Sequence, residues 1–317
     1  LDMPVILTTA AVVYCLFGRD DEGRSGWVRW GRLGLLGLLV GTAVATNTWD
    51  APALVAVGLG AVVLFWAREG GPGGLLRARA VAVIAAAGLG VALFLPFLRL
   101  YQPPPGGFAL SEGGSPLLHF LRVWGLFGFL SLALSLEVIS EGRYREGPLG
   151  FLALGLRRWR QLPRLLDLVE RAPGPRQAGV AAGLILLGLV AITGGLVLAG
   201  RAAGAVALAL ALVSGLAAVS ARERGTAFAQ GLMALAWMVL LGTELFYLKD
   251  WLAGGAAYRM NTVFKFGIQA WLLLGVACGA VALRHAGRPR GAGALGGWRL
   301  AALGLACLAA GYPLLGT

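Results

Sequence analysis

The sequence predicts an all-α, polytopic integral membrane protein of about ten transmembrane helices, two of which meet at a break in one long apolar run. Three observations carry that prediction. Of 317 residues, 58% are hydrophobic and 13% are charged, and the mean hydropathy is +0.78, which is too apolar for a water-soluble enzyme core. Apolar runs near the length of a membrane span recur from end to end. The arginines segregate into alternate connections between those runs.

A hydrocarbon core about 30 Å thick takes roughly 20 residues of helix. Runs on that scale lie at Met3–Phe17, Leu33–Phe65, Val81–Leu100 and Leu117–Ile139. Others follow at Val180–Ala199, Ala203–Val219, Phe228–Leu248, Val263–Leu283 and Leu300–Leu315. As one helix the 33-residue run Leu33–Phe65 would be about 50 Å long. The segment Asn47-Thr48-Trp49-Asp50-Ala51-Pro52 interrupts it, so it reads as two short spans meeting at a polar break.

Charge tests this arrangement. The chain carries 27 basic and 15 acidic residues, a net of +12, and its only lysines are Lys249 and Lys265. The segments 18–32, 68–79 and 140–177 are arginine-rich, the last holding eight, whereas 101–116 has no basic residue. Cytoplasmic loops collect Arg and Lys, so the rich segments are expected inside and the poor ones outside. That alternation closes only if the run containing Asp50 crosses twice. Within 140–177, Leu and Arg alternate at helical spacing, the pattern of an amphipathic basic loop on the anionic cytoplasmic leaflet. Residues 1–317 are therefore read as one transmembrane domain containing that loop, and as a fragment of a longer chain, since it opens at Leu1. Membrane lipids are expected partners and nucleic acid is not, since no recognition fold accompanies the basic residues.

Fifty glycines among Leu, Ala and Val suit closely packed membrane helices, and the Gly pattern of Leu33–Gly41 is an example. Cys15, Cys278 and Cys307 fall in apolar runs without metal or disulfide spacing. No Walker or dinucleotide-binding pattern occurs, which leaves soluble nucleotide chemistry without support.

On this topology Asp2, Asp50, Glu112, Glu244 and Asp250 map to the outer side, together with both lysines. Ionisable groups at membrane depth need a partner or a watery cavity, and so are candidates for function. Asp50 could simply cap the next helix, with Pro52 in its first turn. The polar tetrad Asn47-Thr48-Trp49-Asp50 inside an apolar run instead favours a break that lines a cavity. The densest polar stretch holds Glu244, Phe246, Tyr247, Lys249, Asp250 and Trp251, then Tyr258, Arg259, Asn261, Thr262, Lys265 and Gln269. Asn261, Lys265 and Gln269 are spaced by four and share a helix face. A helix starting near Asn261 would aim its amide donors where Arg259 and Lys265 also point, an arrangement suited to phosphate. The competing reading is an interfacial belt of Tyr and Trp with snorkelling cations. His119, without a metal-ligand partner, reads as a local hydrogen-bonding residue, and Glu137 as a partner for Arg143 or Arg145.

TNTWDAPA at 46–53 and YRMNTVFKFGIQAWLLL at 258–274, with Glu244–Asp250 before it, resemble the YYY membrane protein family (domain of unknown function 2298). That family looks like a relative of the GT-C class of integral-membrane glycosyltransferases. The resemblance implies a GT-C-like fold in the cell membrane, and transfer of a sugar from a polyprenyl-phosphate carrier to an acceptor at the outer face. It also implies an acidic, His-containing segment upstream of Leu1. Within that reading Asp50, Glu244 and Asp250 are the candidate catalytic carboxylates. Asn47, Trp49, Lys249, Tyr258, Arg259, Asn261, Lys265 and Gln269 are the candidate substrate-binding residues. No cofactor is required; a divalent metal is compatible with the carboxylates, although no DxD motif or His cluster calls for one. The alternative function is a transporter or flippase for a lipid-linked or anionic solute, with the broken run as its gate.

Overall fold

A computed structural model describes residues 2–18, 26–69, 72–101, 106–142, 148–161, 173–249, 252, 255 and 257–286. Among these, eight helices are long and apolar enough to cross a membrane. The chain is an all-α polytopic membrane protein, as its composition predicts.

The first apolar run forms α1 (Asp2–Val13), which continues as a π-helical turn over Tyr14–Gly18. The 33-residue run divides into α2 (Gly26–Thr46) and α3 (Ala51–Glu69). Both are full spans rather than the expected short ones, because α2 begins seven residues before the apolar run and α3 continues four residues past it. The third run is displaced toward the N-terminus. Helix α4 covers Gly73–Leu93 and a separate short helix, α5, covers Leu95–Leu100. Pro96 lacks the amide hydrogen needed to continue the α4 ladder, so the chain tightens at Phe94, whose N–H turns to the Val91 carbonyl at 3.1 Å.

Helix α6 (Leu117–Glu141) crosses next, and the basic segment after it contains α7 (Pro148–Arg157). Helix α7 buries Gly150 and Ala153, the one-sided burial expected of an amphipathic element; residues 162–172 lie outside the described part. Three spans follow: α8 (Pro173–Leu198), α9 (Ala202–Ser220) and α10 (Arg224–Leu245). The last described span is α11 (Met260–Ala286). The expected run at 300–315 falls outside the described residues.

The centre of the bundle is α9, α10 and α11, with α6 against α9. Trp237, Met233, Leu273 and Leu274 are fully buried there. Buried hydroxyls and amides knit these helices at membrane depth, where no water competes for them. Trp237 Nε1 donates to Ser131 Oγ at 3.0 Å, Ser131 Oγ approaches Cys278 Sγ at 3.9 Å, and Ser135 Oγ donates to Gln230 Oε1 at 2.8 Å. Cys278 is thus a buried core residue, as its apolar setting suggests.

A second packing centre joins α2 and α4 through small residues. A Cβ placed on Gly37 would overlap the Ala86 carbonyl, and one on Gly41 or Gly90 would overlap the backbone of Gly90 or Gly37. Only hydrogen at these positions lets the two backbones approach so closely, which explains the glycine pattern of Leu33–Gly41.

The two ends of the bundle differ in chemistry. At one end Glu69 pairs with Arg79 at 3.3 Å and Arg224 at 3.0 Å, and Arg68 Nη1 donates to the Ala218 carbonyl at 2.7 Å. The opposite end gathers the α2–α3 turn, the segment before α6, the α8–α9 turn and the α10–α11 connection. There β1 (Phe108–Leu110) pairs antiparallel with β2 (Phe246–Leu248), Phe108 opposite Leu248.

Candidate functional site

Helix α2 ends at Thr46, and hydroxyls at and just past its end turn back on the helix. The Thr46 and Thr48 hydroxyls donate back to the Thr42 and Val44 carbonyls at 2.9 and 3.1 Å. The Asp50 N–H closes the turn on the Asn47 carbonyl at 2.9 Å, and the Asp50 carbonyl accepts from Leu54 at 3.1 Å, opening α3 with Pro52 in its first turn. Asp50 is 2% exposed. Gln269 Nε2 donates to its Oδ1, and also lies 3.5 Å from the Trp49 carbonyl. This pair brings the two motif stretches, 46–53 and 258–274, into contact.

Its depth follows from helix geometry. Gln269 lies nine residues into α11, about 14 Å along the axis from the start of that helix. The α2–α3 turn is therefore recessed by about that distance below the start of α11. Lys265 stands one turn above Gln269, about 6 Å along the same helix. It is half-buried, and among the described residues it has no hydrogen bond or ion pair.

Above the recess the two-stranded ribbon forms a roof, and Glu244 ties the roof down. Glu244 is 1% exposed. Its carboxylate accepts from Ser115 N–H and Ser115 Oγ, each at 2.6 Å, and from Arg259 Nη2 at 2.8 Å. Arg259 also donates to the Gly113 carbonyl at 2.9 Å and the Thr243 carbonyl at 2.5 Å. Among the described residues its buried Nε has no partner. Arg201, from the α8–α9 turn, donates to the Glu244 and Ser111 carbonyls. Ser111 Oγ donates to the Gly113 carbonyl at 2.6 Å and stands 3.2 Å from the Tyr258 hydroxyl. Tyr258 packs edge-on against Tyr247 at 4.7 Å between ring centroids. Two guanidiniums and one carboxylate thus hold the segment 111–115 against the ends of α10 and α11.

Between roof and recess lies an open apolar cavity of about 460 Å³. Pro52, Ala53 and Ala56 of α3 form one wall, Val239, Gly242 and Thr243 of α10 another, and Thr262 and Phe266 of α11 a third. Phe108, Phe246 and Tyr247 cover it. Trp49 meets Phe108 edge-on at 5.3 Å, which links the recessed turn to the roof. Thr262 supports the roof through a 2.9 Å bond from the Leu248 N–H.

The sequence candidates therefore fall into two groups. Trp49, Asp50 and Gln269 meet at the recess, with Asn47 in the same turn and Asn261 and Lys265 above on α11. Glu244, Tyr258 and Arg259 belong to the roof. Lys249 is exposed just past β2 and bonds through its N–H to the Gly107 carbonyl at 2.8 Å. Asp250 lies outside the described residues, and Glu137 is buried near the end of α6. His119 is exposed in the first turn of α6. Sequence reasoning missed Ser111, Ser115 and Arg201, and it named Thr262 only as part of the polar stretch. Ser115 and Glu244 are 129 residues apart, and no local spacing announces such a pair. Among the described residues no group of three His, Cys, Asp or Glu side chains converges as a metal site, and the Glu244 carboxylate is already committed to Arg259.

No curated protein and no solved structure matches the chain. Residues 1–274 match an uncharacterized membrane protein family, DUF2298, the same family that the two motif stretches resemble. The recessed turn that opens α3 and the stripe of α11 that reaches it both lie within that match, and the chain belongs to the DUF2298 family of uncharacterized membrane proteins.

Proposed function

We propose that this protein is a membrane glycosyltransferase-like enzyme that moves a sugar from a polyprenyl-phosphate donor to an acceptor, at a polar site facing outward across the cell membrane. One observation carries the reading: Gln269 holds the Asp50 carboxylate at the recess while Lys265 stands one turn above it, beside a roofed cavity. A buried carboxylate one helical turn from a cation that has no partner among the described residues matches a reaction in which a proton is removed at one point and negative charge develops at another. The outward assignment rests on the arginine-rich opposite end.

In this reaction the acceptor hydroxyl or amide attacks the anomeric carbon of the donor. Asp50 takes the acceptor proton as general base. The bond from the anomeric carbon to the phosphate oxygen breaks, and the lipid phosphate leaves with the electron pair. Lys265 stabilises the charge that accumulates on it. Gln269 acts through Asp50 and is a positioning residue. Glu244 and Arg259 hold the roof over the cavity, and Asn47, Trp49, Tyr258, Asn261 and Lys249 are the further substrate-binding candidates. Asp250 remains a further acidic candidate in the same connection.

The test is transfer of radiolabelled sugar from a panel of polyprenyl-phosphate sugars by the protein in membranes. Asp50→Asn and Lys265→Ala are compared with wild type at matched expression. Loss of turnover in both supports the assignment. Normal transfer in both variants overturns it. Donor binding that depends on Lys265, without turnover by any protein, points to a lipid-linked-solute transporter instead.

A further inference from the structure

The ribbon that roofs the cavity has one open edge. Lys249 N–H donates to the Gly107 carbonyl at 2.8 Å and Ser111 N–H to the Leu245 carbonyl at 2.9 Å, at either end of the ribbon. With Phe108 opposite Leu248, these bonds mark Gly107, Ala109 and Ser111 as the residues whose backbone groups turn toward β2. The N–H and C=O groups of Phe108 and Leu110 therefore point the other way. On β2 the corresponding outward amides are taken up by helices: Phe246 N–H donates to the Gly242 carbonyl and Leu248 N–H to Thr262 Oγ. On β1 the outward groups of Phe108 and Leu110 have no partner among the described residues. Proteins usually protect such an edge with a charge, a proline or a bulge, and Phe108-Ala109-Leu110 has none of these. A free edge is not tolerated in hydrocarbon, which places the ribbon at or above the membrane surface.

Spacing decides what fits this edge. Phe108 and Leu110 each offer a donor and an acceptor, and the set repeats after about 7 Å along the strand. Another extended backbone presents matching groups at that repeat, whereas a sugar or a lipid headgroup does not. The two side chains, 62% and 71% exposed, lie on one face of the strand and are matched by apolar ones directly opposite. Charge adds a direction. Lys249 is exposed beside Gly107 at one end, Glu112 is exposed beyond Leu110 at the other, and neither has an ion pair among the described residues. A strand antiparallel to β1 enters at Glu112 and leaves at Lys249, so a basic residue suits its N-terminal side and an acidic residue its C-terminal side.

We infer that the free edge of β1 is a docking site for an extended polypeptide segment of this pattern, which joins the ribbon as a third, antiparallel strand. Phe108 also covers the cavity and meets Trp49, so the docked segment passes beside the recess that holds Asp50. The site stands apart from the proposed function; under that reading, the docked segment is the acceptor.

The experiment measures, by fluorescence anisotropy, binding of the labelled peptide Lys-Ser-Val-Thr-Val-Ser-Glu to the protein in phosphatidylcholine nanodiscs. Its valines fall opposite Leu110 and Phe108 and exchange backbone bonds with them, while the threonine amide between them points away. N-methylation of either valine should weaken binding about tenfold, the effect of one lost hydrogen bond, and N-methylation of the threonine should leave it unchanged. On the protein, Leu110→Pro removes an outward N–H but spares the bonds to β2, and should weaken binding by the same factor. Leu110→Val keeps that N–H and should bind as wild type does. The N-methyl comparison uses unaltered protein, so it decides the question even where Leu110→Pro disturbs the roof. Failure of the parent peptide to bind, or equal loss on methylating valine and threonine, overturns the inference. Association of two copies through β1, abolished by Leu110→Pro and indifferent to the peptide, also overturns it. Peptide binding without sugar transfer by any donor keeps the site and refutes the enzyme, and transfer without peptide binding does the reverse.

Discussion

Replacing Glu244 with Ala tests whether the roof depends on one buried ion pair. In the folded protein the Glu244 side chain is 2% exposed and that of Arg259 is 13% exposed, so neither charge is screened well by solvent. The substitution removes three hydrogen bonds at once, two from Ser115 and one from Arg259. It also strands a guanidinium whose remaining partners are the Gly113 and Thr243 carbonyls. Breaking a buried pair from one side costs about 3–5 kcal/mol. The carbonyl bonds that Arg259 keeps, and its partial exposure, place the expected loss near the lower bound, about 3 kcal/mol. Reversible unfolding in bicelles gives this value. A companion Arg259→Met removes the other charge, and the double variant should be less destabilised than the sum of the singles by about 1–3 kcal/mol. Faster proteolysis within 106–116 should accompany the single variant, because that segment is held by Glu244 through Ser115. A loss below about 1 kcal/mol, the range of exposed pairs, with no coupling in the cycle, would refute the tie.

Three further outcomes follow from the packing. Gly90→Leu forces a side chain into the Gly37 carbonyl and should separate α2 from α4, costing at least about 1–3 kcal/mol as overpacking, read as lost thermal stability in detergent. Gln269→Leu keeps volume but removes the donor to Asp50. It should cost about 1–3 kcal/mol of stability in the same unfolding assay, and Gln269→Ala should show no smaller loss. Glu69→Gln weakens ion pairs to Arg79 and Arg224 whose side chains are 21–33% exposed, and should change stability by no more than about 1 kcal/mol in moderate salt.

The architecture is legible along the chain, because a bilayer reads it in one dimension. A span is a count of apolar residues, and a break is a polar interruption in that count. The asymmetry of the two ends is legible in the positions of the arginines. The division at Asn47–Asp50 follows from those rules, and Pro96 supplies the local reason that α4 ends early. The two motif stretches mark the candidate site because polar residues are rare in such a chain.

How those residues are partnered is set by folding, across separations that no local pattern spans. Helical spacing placed Lys265 and Gln269 on one stripe but could not reveal that Gln269 reaches Asp50, 219 residues away. It could not separate the Glu244 and Arg259 tie from the recessed carboxylate either, since all of these groups look alike as charges near a boundary. Ser115 and Arg201 give no signal of their own: a serine in a Gly- and Pro-rich segment and an arginine in a turn are ordinary until folding sets them against Glu244. The cavity under the roof is invisible for the same reason. Open glycines at 60 and 242 read in sequence like the packed ones at 37 and 90, and the difference lies in the atoms that stand opposite each of them.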